Sequence, residues 1–455
     1  MTDANFIRDS ERGISRRDLL QSASGGVVAS MAAAFLSGCG AGSDATSSAV
    51  GSGPGTLSLA SMPKGFSRQV LQRRWQAVRE RMKQVGLDCL ICPMQSENNS
   101  DIRYLTDTQA EFAIFPLAGD PIALFRSDRW AHFEVPRAKE LGVDLRVGRW
   151  SGQWSIGVIE TLRELGMGGA RIGVGGLSGV LGNAEGAIPY TTFDNIRQAF
   201  PRATFESAAD LLMRMKLVWH SEEEIALFEK VTEVSEAGLQ ALMEVARPGV
   251  MHRDAWVHVY HVMLEATGEP PYRCSFRAGA SGNTSLGSPL DEILRAGKIV
   301  NQELCATLLG LNVQINHSFL LGSPAPADWP AAAEYCIDIL HSLVDWITPG
   351  KSFKDLCEFY AQRRQGRPGA APSEAPSGSV LVRLSGWGDG PRFGVGRMEG
   401  LDDLLIEAGM VFTMKPNVPI RDTSPAAQFG DAVLVTENGA RRLGKRKLEV
   451  ITAGA

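Results

Sequence analysis

The stretch that decides the fold runs from Gly297 to Gly322 and reads GKIVNQELCATLLGLNVQINHSFLLG. Apolar and polar residues alternate in both halves of this stretch, and a glycine lies between the halves. Such a pattern is typical of two β-strands joined by a turn. Glu303 and Gln314 are eleven positions apart, on opposite arms of the predicted hairpin. The two side chains can therefore face each other on one side of a sheet.

The hairpin resembles a motif of the creatinase, prolidase and methionine aminopeptidase family, known for its pita-bread fold. In that family two aspartates with this spacing open a binuclear metal site, and an F-x-x-G segment closes the motif. Here Phe319 to Gly322 match the F-x-x-G, whereas the two aspartate positions hold Glu303 and Gln314. The resemblance predicts the scaffold of a metallohydrolase and raises the question of whether its ligands are present.

The composition is that of an ordinary soluble protein. The chain has 455 residues, which allows two or three domains with hydrophobic cores of their own. It is 44% hydrophobic and 21% charged, which is an ordinary balance for a soluble protein. The net charge of -5 gives no reason to expect nucleic acid or an anionic membrane as a partner.

Residues 1–39 resemble an export signal rather than a part of the fold. The segment SRRDLL from Ser15 to Leu20 resembles the twin-arginine signal, and Ala23 to Leu36 form an apolar run too short to span a bilayer permanently. The run ends in LSGC at Cys39, which resembles the lipobox of bacterial lipoproteins. These resemblances imply the twin-arginine export machinery as a partner, a periplasmic location and a membrane anchor only through lipidated Cys39. The alternative is an unprocessed disordered tail.

Residues 40–66 are rich in Gly, Ser, Ala and Thr, a composition that predicts a flexible tether. Seven cysteines occur in the chain, and Cys89 and Cys92 form a C-x-x-C. The sequence around them reads as a buried strand, on which residues three apart point to opposite faces. A redox C-x-x-C needs both sulfurs at a helix start, so we expect core cysteines and no redox function.

Residues 67–216 are predicted to form an α/β domain. Ser67 to Val85 has the pattern of an amphipathic helix that Gly86 closes. Strands are predicted at Cys89 to Cys92, Phe112 to Phe115, Ile122 to Phe125, Leu145 to Val147 and Ile172 to Val174. The order closely resembles the N-terminal domain of creatinases and prolidases, including an I-R-Y-L-T segment that contains Arg103. In that family this domain commonly reaches the pocket of another chain, which implies a homodimer and a substrate-binding role for Arg103.

Residues 217–455 are predicted to form the second domain. Ser221 and Glu224 form a capping box ahead of a helix from Glu223 to Ala246, and a second helix runs from Arg253 to Thr267. The family resemblance covers most of residues 67–445. It implies an α/β creatinase-like N-terminal domain followed by an α+β pita-bread domain, in which a curved antiparallel sheet is backed by helices.

The resemblance also assigns the metal ligands, and this chain departs from them. The family uses two aspartates, a histidine and two glutamates, so that a divalent cation can activate a water or a carbonyl. The aspartate positions hold Glu303 and Gln314, and no histidine follows His341. Lys415 stands at the first glutamate position, and Gly430 stands at the second, before D-A-V-L-V-T. We therefore expect no binuclear metal and no other cofactor.

Creatinase itself is a metal-free member of the family that uses histidine and carboxylates. Its general-base histidine matches the segment Gly282 to Ser288, which contains no histidine here. The pocket is nevertheless predicted to be polar. The catalytic candidates are Glu303, His317 and Lys415, and the substrate-binding candidates are Gln314, Arg383, Asp389, Arg392 and Arg103. Arginine and lysine in a concave site favour a small substrate, carboxylate-bearing or otherwise anionic.

Each candidate also has a structural interpretation. Asp389 and Arg392 belong to a Gly-rich turn that can be an ordinary tight turn with surface charges. His317 can be a general acid or base, or a hydrogen-bonded strand histidine. Glu303 and Lys415 can form a charge pair that replaces an ion and its ligand.

Three functions follow from these alternatives. The first is an exported, metal-independent hydrolase or lyase that acts on a small polar or anionic substrate. The second is a pseudoenzyme that keeps the pocket for binding or as a scaffold. The third, a working metallo-aminopeptidase, is the family default, and the residues speak against it.

Overall fold

The structure is a computed structural model that describes residues 62–94, 100–148, 153–179, 185–219, 221–278, 291–365, 381–384, 386, 392–394, 404–420 and 426–454. The predicted export signal, the lipobox with Cys39 and most of the predicted tether lie outside these residues. Within them, no helix has the length and apolar character that crossing a membrane requires.

A six-stranded mixed sheet forms the core of the first domain. Its elements are α1 (Arg68–Val85), β1 (Cys89–Pro93), α2 (Ser100–Thr106), β2 (Phe112–Pro116), β3 (Ile122–Phe125), α3 (Asp128–Leu141), β4 (Asp144–Val147), α4 (Trp154–Glu164), β5 (Arg171–Val174), α5 (Tyr190–Ala199), β6 (Thr204–Ser207) and α6 (Ala209–Leu217). The strand order is β4-β3-β2-β1-β5-β6. All five predicted strands are present in this sheet.

Helix α1 begins and ends where its sequence predicts. The Ser67 side chain accepts a hydrogen bond from the backbone of Val70, and Gly86 ends the helix in the left-handed conformation with φ 75°. Its apolar face is buried in the core of the domain. The I-R-Y-L-T segment after β1 is part of the short helix α2.

An eleven-stranded sheet dominates the second domain. Its elements are α7 (Glu222–Val245), α8 (His252–Thr267), β7 (Arg273–Ala278), β8 (Lys298–Leu308), β9 (Leu311–His317), β10 (Phe319–Leu321), α9 (Trp329–Trp346), α10 (Phe353–Gln365), β11 (Val382–Leu384), β12 (Arg392–Phe393), β13 (Val411–Met414), β14 (Asn417–Pro419), β15 (Ala426–Thr436), β16 (Gly439–Arg442) and β17 (Thr452–Ala453). The main path runs β12-β11-β13-β15-β9-β8-β10-β17, and β7 pairs with β8.

The predicted hairpin is strands β8 and β9, and helix α7 packs against it. The capping box of Ser221 and Glu224 starts α7 as predicted. Farther along the helix, the Ser235 hydroxyl donates to the carbonyl of Val313 and accepts from the backbone N–H of Ala306, each at 3.0 Å. One face of the hairpin is thereby fixed to a helix, which leaves the other face for the residues described below.

The last residues of the segment predicted as a tether pack against the first domain. Met62 and Phe66 belong to the segment predicted as a tether, yet both are buried, and Phe66 accepts a hydrogen bond from Arg137 through its backbone carbonyl. The end of that segment is therefore part of the fold.

Cys89 and Cys92 lie in different hydrophobic clusters, on opposite faces of β1, as the strand interpretation predicted.

Candidate functional site

Glu303 and Gln314 lie on the same face of the hairpin. Cys305 lies directly opposite Gln314 in the register of β8 and β9, and Glu303 is two positions before Cys305. Alternate residues of a strand point to the same face, so the structure agrees with the alternation of the sequence. The Gln314 amide Nε2 donates to Asn316 Oδ1 at 3.2 Å, and the Asn316 amide donates to the carbonyl of Gln302. These bonds fix the orientation of both amides.

Glu303 is held between two cations. Its Oε1 lies 2.7 Å from Lys415 Nζ, and its Oε2 lies 2.5 Å from a guanidinium nitrogen of Arg273. Glu303 and Lys415 are only 6% and 9% exposed. Burial alone would raise the pKa of Glu303, but Lys415 and Arg273 outweigh it and lower that pKa to about 2. Glu303 is therefore an anion at ordinary pH.

The environment of Lys415 disfavours its charged form, whereas that of Glu303 favours the charged carboxylate. Burial lowers its pKa from the usual value, Glu303 opposes this change, and the positive charges of Arg383 and Arg273 add to it. The neighbouring carboxylate of Glu303 thus raises the pKa of Lys415, but its contribution is smaller than that of burial. Lys415 is a cation that gives up its proton more readily than a solvent-exposed lysine does.

Arg383 joins this cluster from strand β11. It lies opposite Thr413 in the β11–β13 register, and Thr413 is two positions before Lys415. Arg383 is buried, and its guanidinium carbon lies 4.4 Å from the centre of the Tyr272 ring. The structure therefore places Arg383 near the Glu303 cluster, where its charge adds to the lowering of the Lys415 pKa.

Sequence reasoning missed Arg273 and Tyr272. Arg273 reaches the cluster because it lies opposite Cys305 in the pairing of β7 with β8. The signal that could have found it is the alternation of Arg273, Ser275 and Arg277 with apolar residues, which is typical of a strand.

His317 lies on the other side of strand β9. It is three positions after Gln314, so its side chain points away from the face that carries Glu303. Its Nε2 lies 3.0 Å from the carbonyl oxygen of Glu449, and its ring meets Phe429 edge-on. Burial and the charge of Arg446 lower the pKa of His317 to about 3. The structure separates His317 from the predicted catalytic group and favours the interpretation as a hydrogen-bonded strand histidine.

The remaining candidates have different positions. Arg103 lies against the turn of the hairpin, where a Cβ added to Gly310 would come within 2.7 Å of its Cδ. It is thus at the turn end of its own chain's hairpin rather than at Glu303. Arg392 lies opposite Arg383 in the β11–β12 register, and Asp389 lies outside the described residues.

The described residues around Glu303 do not fit a binuclear metal centre. Lys415, at a position where the family has a glutamate ligand, carries no lone pair while it is protonated. A Cβ added to Gly430 would lie 2.8 Å from the carbonyl oxygen of Met414 and 2.9 Å from Asn316 Oδ1, so a glutamate has no room there. Across the described part of the chain, no group of three or more His, Cys, Asp and Glu residues could hold a metal ion.

Two buried amides complete the face. Gln314 Oε1 and Asn312 Nδ2 have no hydrogen-bond partner among the described residues, although both residues are at most 2% exposed. Buried polar atoms without partners are uncommon in folded proteins. Together with the cations around Glu303, they give this face the capacity to hold an anionic group and to accept and donate hydrogen bonds beside it.

Comparison with known proteins identifies both domains. The Creatinase/Prolidase N-terminal domain matches residues 74–218, and Metallopeptidase family M24 matches residues 226–437. The Xaa-Pro dipeptidase of Pyrococcus furiosus is 23% identical over 269 residues, which cover 59% of this chain and 74% of that protein.

Solved structures agree. The prolidase of Pyrococcus horikoshii has a TM-score of 0.66 and 18% identity, covering 83% of this chain and all of its own. Dipeptidase PepE of Mycobacterium ulcerans has a TM-score of 0.68 and 20% identity, covering 86% of this chain and 99% of its own. At these identities the likeness shows the fold, which is the predicted α/β N-terminal domain followed by the α+β pita-bread domain. The chain therefore belongs to the creatinase and prolidase group of metallopeptidase family M24.

Proposed function

We propose that the chain is an exported, metal-independent hydrolase or lyase that acts on a small polar or anionic substrate. The observation that carries the proposal is the Glu303 carboxylate held by Lys415 and Arg273 on the face where the family places its metal ligands. An ammonium and a guanidinium there supply positive charge without a dication. Electrostatic stabilisation of this kind is a major source of catalysis in a site that excludes water.

The charges favour a substrate with a carboxylate. Arg273, Arg383 and Lys415 surround the single carboxylate of Glu303 among the described residues of the cluster. Guanidinium groups bind carboxylates through paired hydrogen bonds, so a substrate carboxylate fits beside Arg273 and Arg383. The amides of Gln314 and Asn312 supply a hydrogen-bond acceptor and a donor for the polar groups next to it.

In the proposed reaction Lys415 is the general acid that donates a proton to the leaving group. Its pKa is lowered by burial, which brings it closer to the range in which a general acid works best. Glu303 holds Nζ in place and is too acidic to act as a proton donor. His317 has no role in this step because it lies on the opposite face of the sheet. Lys415 would protonate the leaving group as the substrate bond breaks. In a hydrolysis a water molecule would add to the other fragment and return a proton to the neutral amine, and in a lyase step the adjacent carbon would lose that proton as the double bond forms.

The second candidate function is a catalytically inactive binding or scaffold protein. One observation favours it: both oxygens of Glu303 already accept hydrogen bonds from cations, an arrangement that also serves as a purely structural ion pair. Under this alternative the cluster binds a ligand or only stabilises the sheet, and no turnover occurs.

Elemental analysis followed by an activity screen tests the proposal. The purified mature protein should contain no stoichiometric Mn, Co, Fe or Zn, and chelators should not change its activity. About two metal ions per chain would refute the metal-independent function, since that is the stoichiometry of a binuclear centre. Turnover of a small carboxylate substrate by the metal-free protein would distinguish the enzyme from the scaffold.

We also propose that the mature protein is attached to the membrane by a lipid on Cys39 after twin-arginine export. The support is the order and spacing of the two sequence motifs. Cys39→Ala should release the protein from the membrane fraction.

We further propose a homodimer, on the family resemblance of the N-terminal domain. Light scattering at micromolar concentration checks it, and a monomer would remove Arg103 from any shared site.

A further inference from the structure

A cavity lies between the two domains, and none of its lining residues is Glu303, Lys415, Arg273 or Arg383. It has a volume of about 300 Å³ and is lined by helices α1 and α6 of the first domain and by residues 404–410 of the second. That volume is at the lower end of the range for small-molecule sites. Apolar side chains form much of its lining, namely Met215, Leu217, Val218, Leu404 and Met410. The cavity can therefore accept the apolar body of a small molecule.

The charged lining of the cavity is predominantly basic. Four arginines line it, Arg73, Arg74, Arg81 and Arg214, together with two acids, Glu224 and Glu407. The formal charge of these six side chains is therefore four minus two, or +2. Low-dielectric walls around such charges concentrate the field inside a cleft. The cavity should attract anions and repel cations.

The four arginines differ in how strongly they already interact with neighbouring side chains. Arg73 and Arg74 both contact the carboxylate of Glu224, which the Ser221 hydroxyl also contacts. Arg214 pairs with Asp210 at 3.0 Å, but Asp210 is largely exposed, and such surface pairs are weak. Arg81 donates to the neutral amide of Gln84 at 2.9 Å. Arg81 and Arg214 can therefore turn toward an anion in the cavity at little energetic cost.

We propose that this cavity is a binding site for a small amphipathic anion, one carboxylate or phosphate monoester joined to an apolar body. The anionic group would contact Arg81 and Arg214, and the apolar body would lie against Met215, Leu217 and Met410. Because the walls come from both domains, a bound ligand stabilises their packing. None of the lining residues belongs to the Glu303 cluster, so the site is independent of the proposed reaction.

Benzoate and phenyl phosphate are suitable probes, with benzyl alcohol as the neutral counterpart of benzoate. Binding to the mature protein is measured by calorimetry and by the shift of the melting temperature. At least one of the two anions should bind with a dissociation constant below about 10 mM and raise the melting temperature, while benzyl alcohol binds at least about tenfold more weakly. Failure of both anions to bind would overturn the proposal, as would equal binding of benzyl alcohol.

Two single variants locate the binding. Arg81→Gln should weaken binding of the anion about tenfold or more, because it removes a charged hydrogen bond. Arg129→Gln is the matched control: it removes the same charge from an exposed position on helix α3 and should leave binding unchanged. Equal binding by both variants would overturn the assignment. Loss of binding in the double variant Glu303→Gln, Lys415→Met, with Arg81→Gln unaffected, would place the anion in the other site and also overturn it.

Discussion

Replacing Lys415 by methionine should lower the free energy of unfolding by about 2–3 kcal/mol. Lys415 and Glu303 are buried and 2.7 Å apart, so the variant keeps most of the packing of the stem and removes the charge. The fall of the Glu303 pKa from 4.5 to about 2 corresponds to about 3 kcal/mol in favour of its charged form, at about 1.4 kcal/mol per pH unit. Arg273 supplies part of this and still contacts Glu303 in the variant. The cost should therefore lie below the roughly 3–5 kcal/mol of a fully orphaned buried charge.

The double variant Glu303→Gln, Lys415→Met tests the cause of that loss. It removes the carboxylate that the single variant leaves with one cation, and it should recover about half of the lost stability. Recovery is incomplete because Arg273 loses its partner, but the Arg273 side chain is 19% exposed and can reach solvent. Unfolding in urea, followed by tryptophan fluorescence, measures all three proteins.

Lys230→Met is the matched control. Lys230 pairs with Glu233 at 3.0 Å on the surface of helix α7, and both side chains are partly exposed. Its loss should change the free energy of unfolding by no more than about 0.5 kcal/mol. A Lys415→Met variant as stable as Lys230→Met would refute the buried ion pair. If the double variant folds well and retains full activity on an identified substrate, neither Glu303 nor Lys415 has a role in function.

Three further predictions follow from the described geometry and sequence. The low pKa of Glu303 contributes stability in full above pH 4.5, and this contribution is lost as the pH falls toward about 2; urea unfolding at a series of pH values should show a smaller loss in Glu303→Gln, and equal losses would contradict the assignment. Gly430→Ala should lower the free energy of unfolding by about 1–3 kcal/mol, because its Cβ would lie 2.8 Å from a backbone carbonyl; at Gly439 the nearest atom is 3.8 Å away, so Gly439→Ala is the control, and similar values for the two would refute the steric argument. Changing Arg16 and Arg17 to lysine should leave the protein in the cytoplasm on cell fractionation, and unchanged export would count against the twin-arginine signal.

The parts of the fold that depend on local pattern were predictable. Helix α1 and the hairpin of β8 and β9 appear where amphipathic or alternating residues, capping residues and turn glycines place them. The contact between Glu303 and Lys415 was also predictable, because the segments around both residues match a family whose strands meet there. Each of these conclusions rests on a short stretch of chain or on a motif with defined flanking residues.

Three features of the two sites could not be predicted from the sequence, because they depend on how the strands and helices pack in three dimensions. Arg273 reaches Glu303 only through the pairing of β7 with β8, which alternation within one strand does not specify. His317 was grouped with the catalytic candidates although its odd separation from Gln314 along β9 places it on the opposite face. The arginine-lined cavity depends on how α1 and α6 meet the segment before β13, and no local sequence pattern encodes that contact.

The six described cysteines are buried, so their reaction with an alkylating reagent can be used to follow local unfolding. All six are free thiols, and burial raises the pKa of Cys305 to about 11 and that of Cys274 to about 12. Because the thiolate is the form that reacts, iodoacetamide should modify each of them only when its surroundings open. The thiols lie in strand β1, in the Glu303 sheet and in helices α9 and α10. Mass spectrometry of alkylated peptides would therefore time the opening of the first sheet, the cluster and the helical layer separately, without any engineered label.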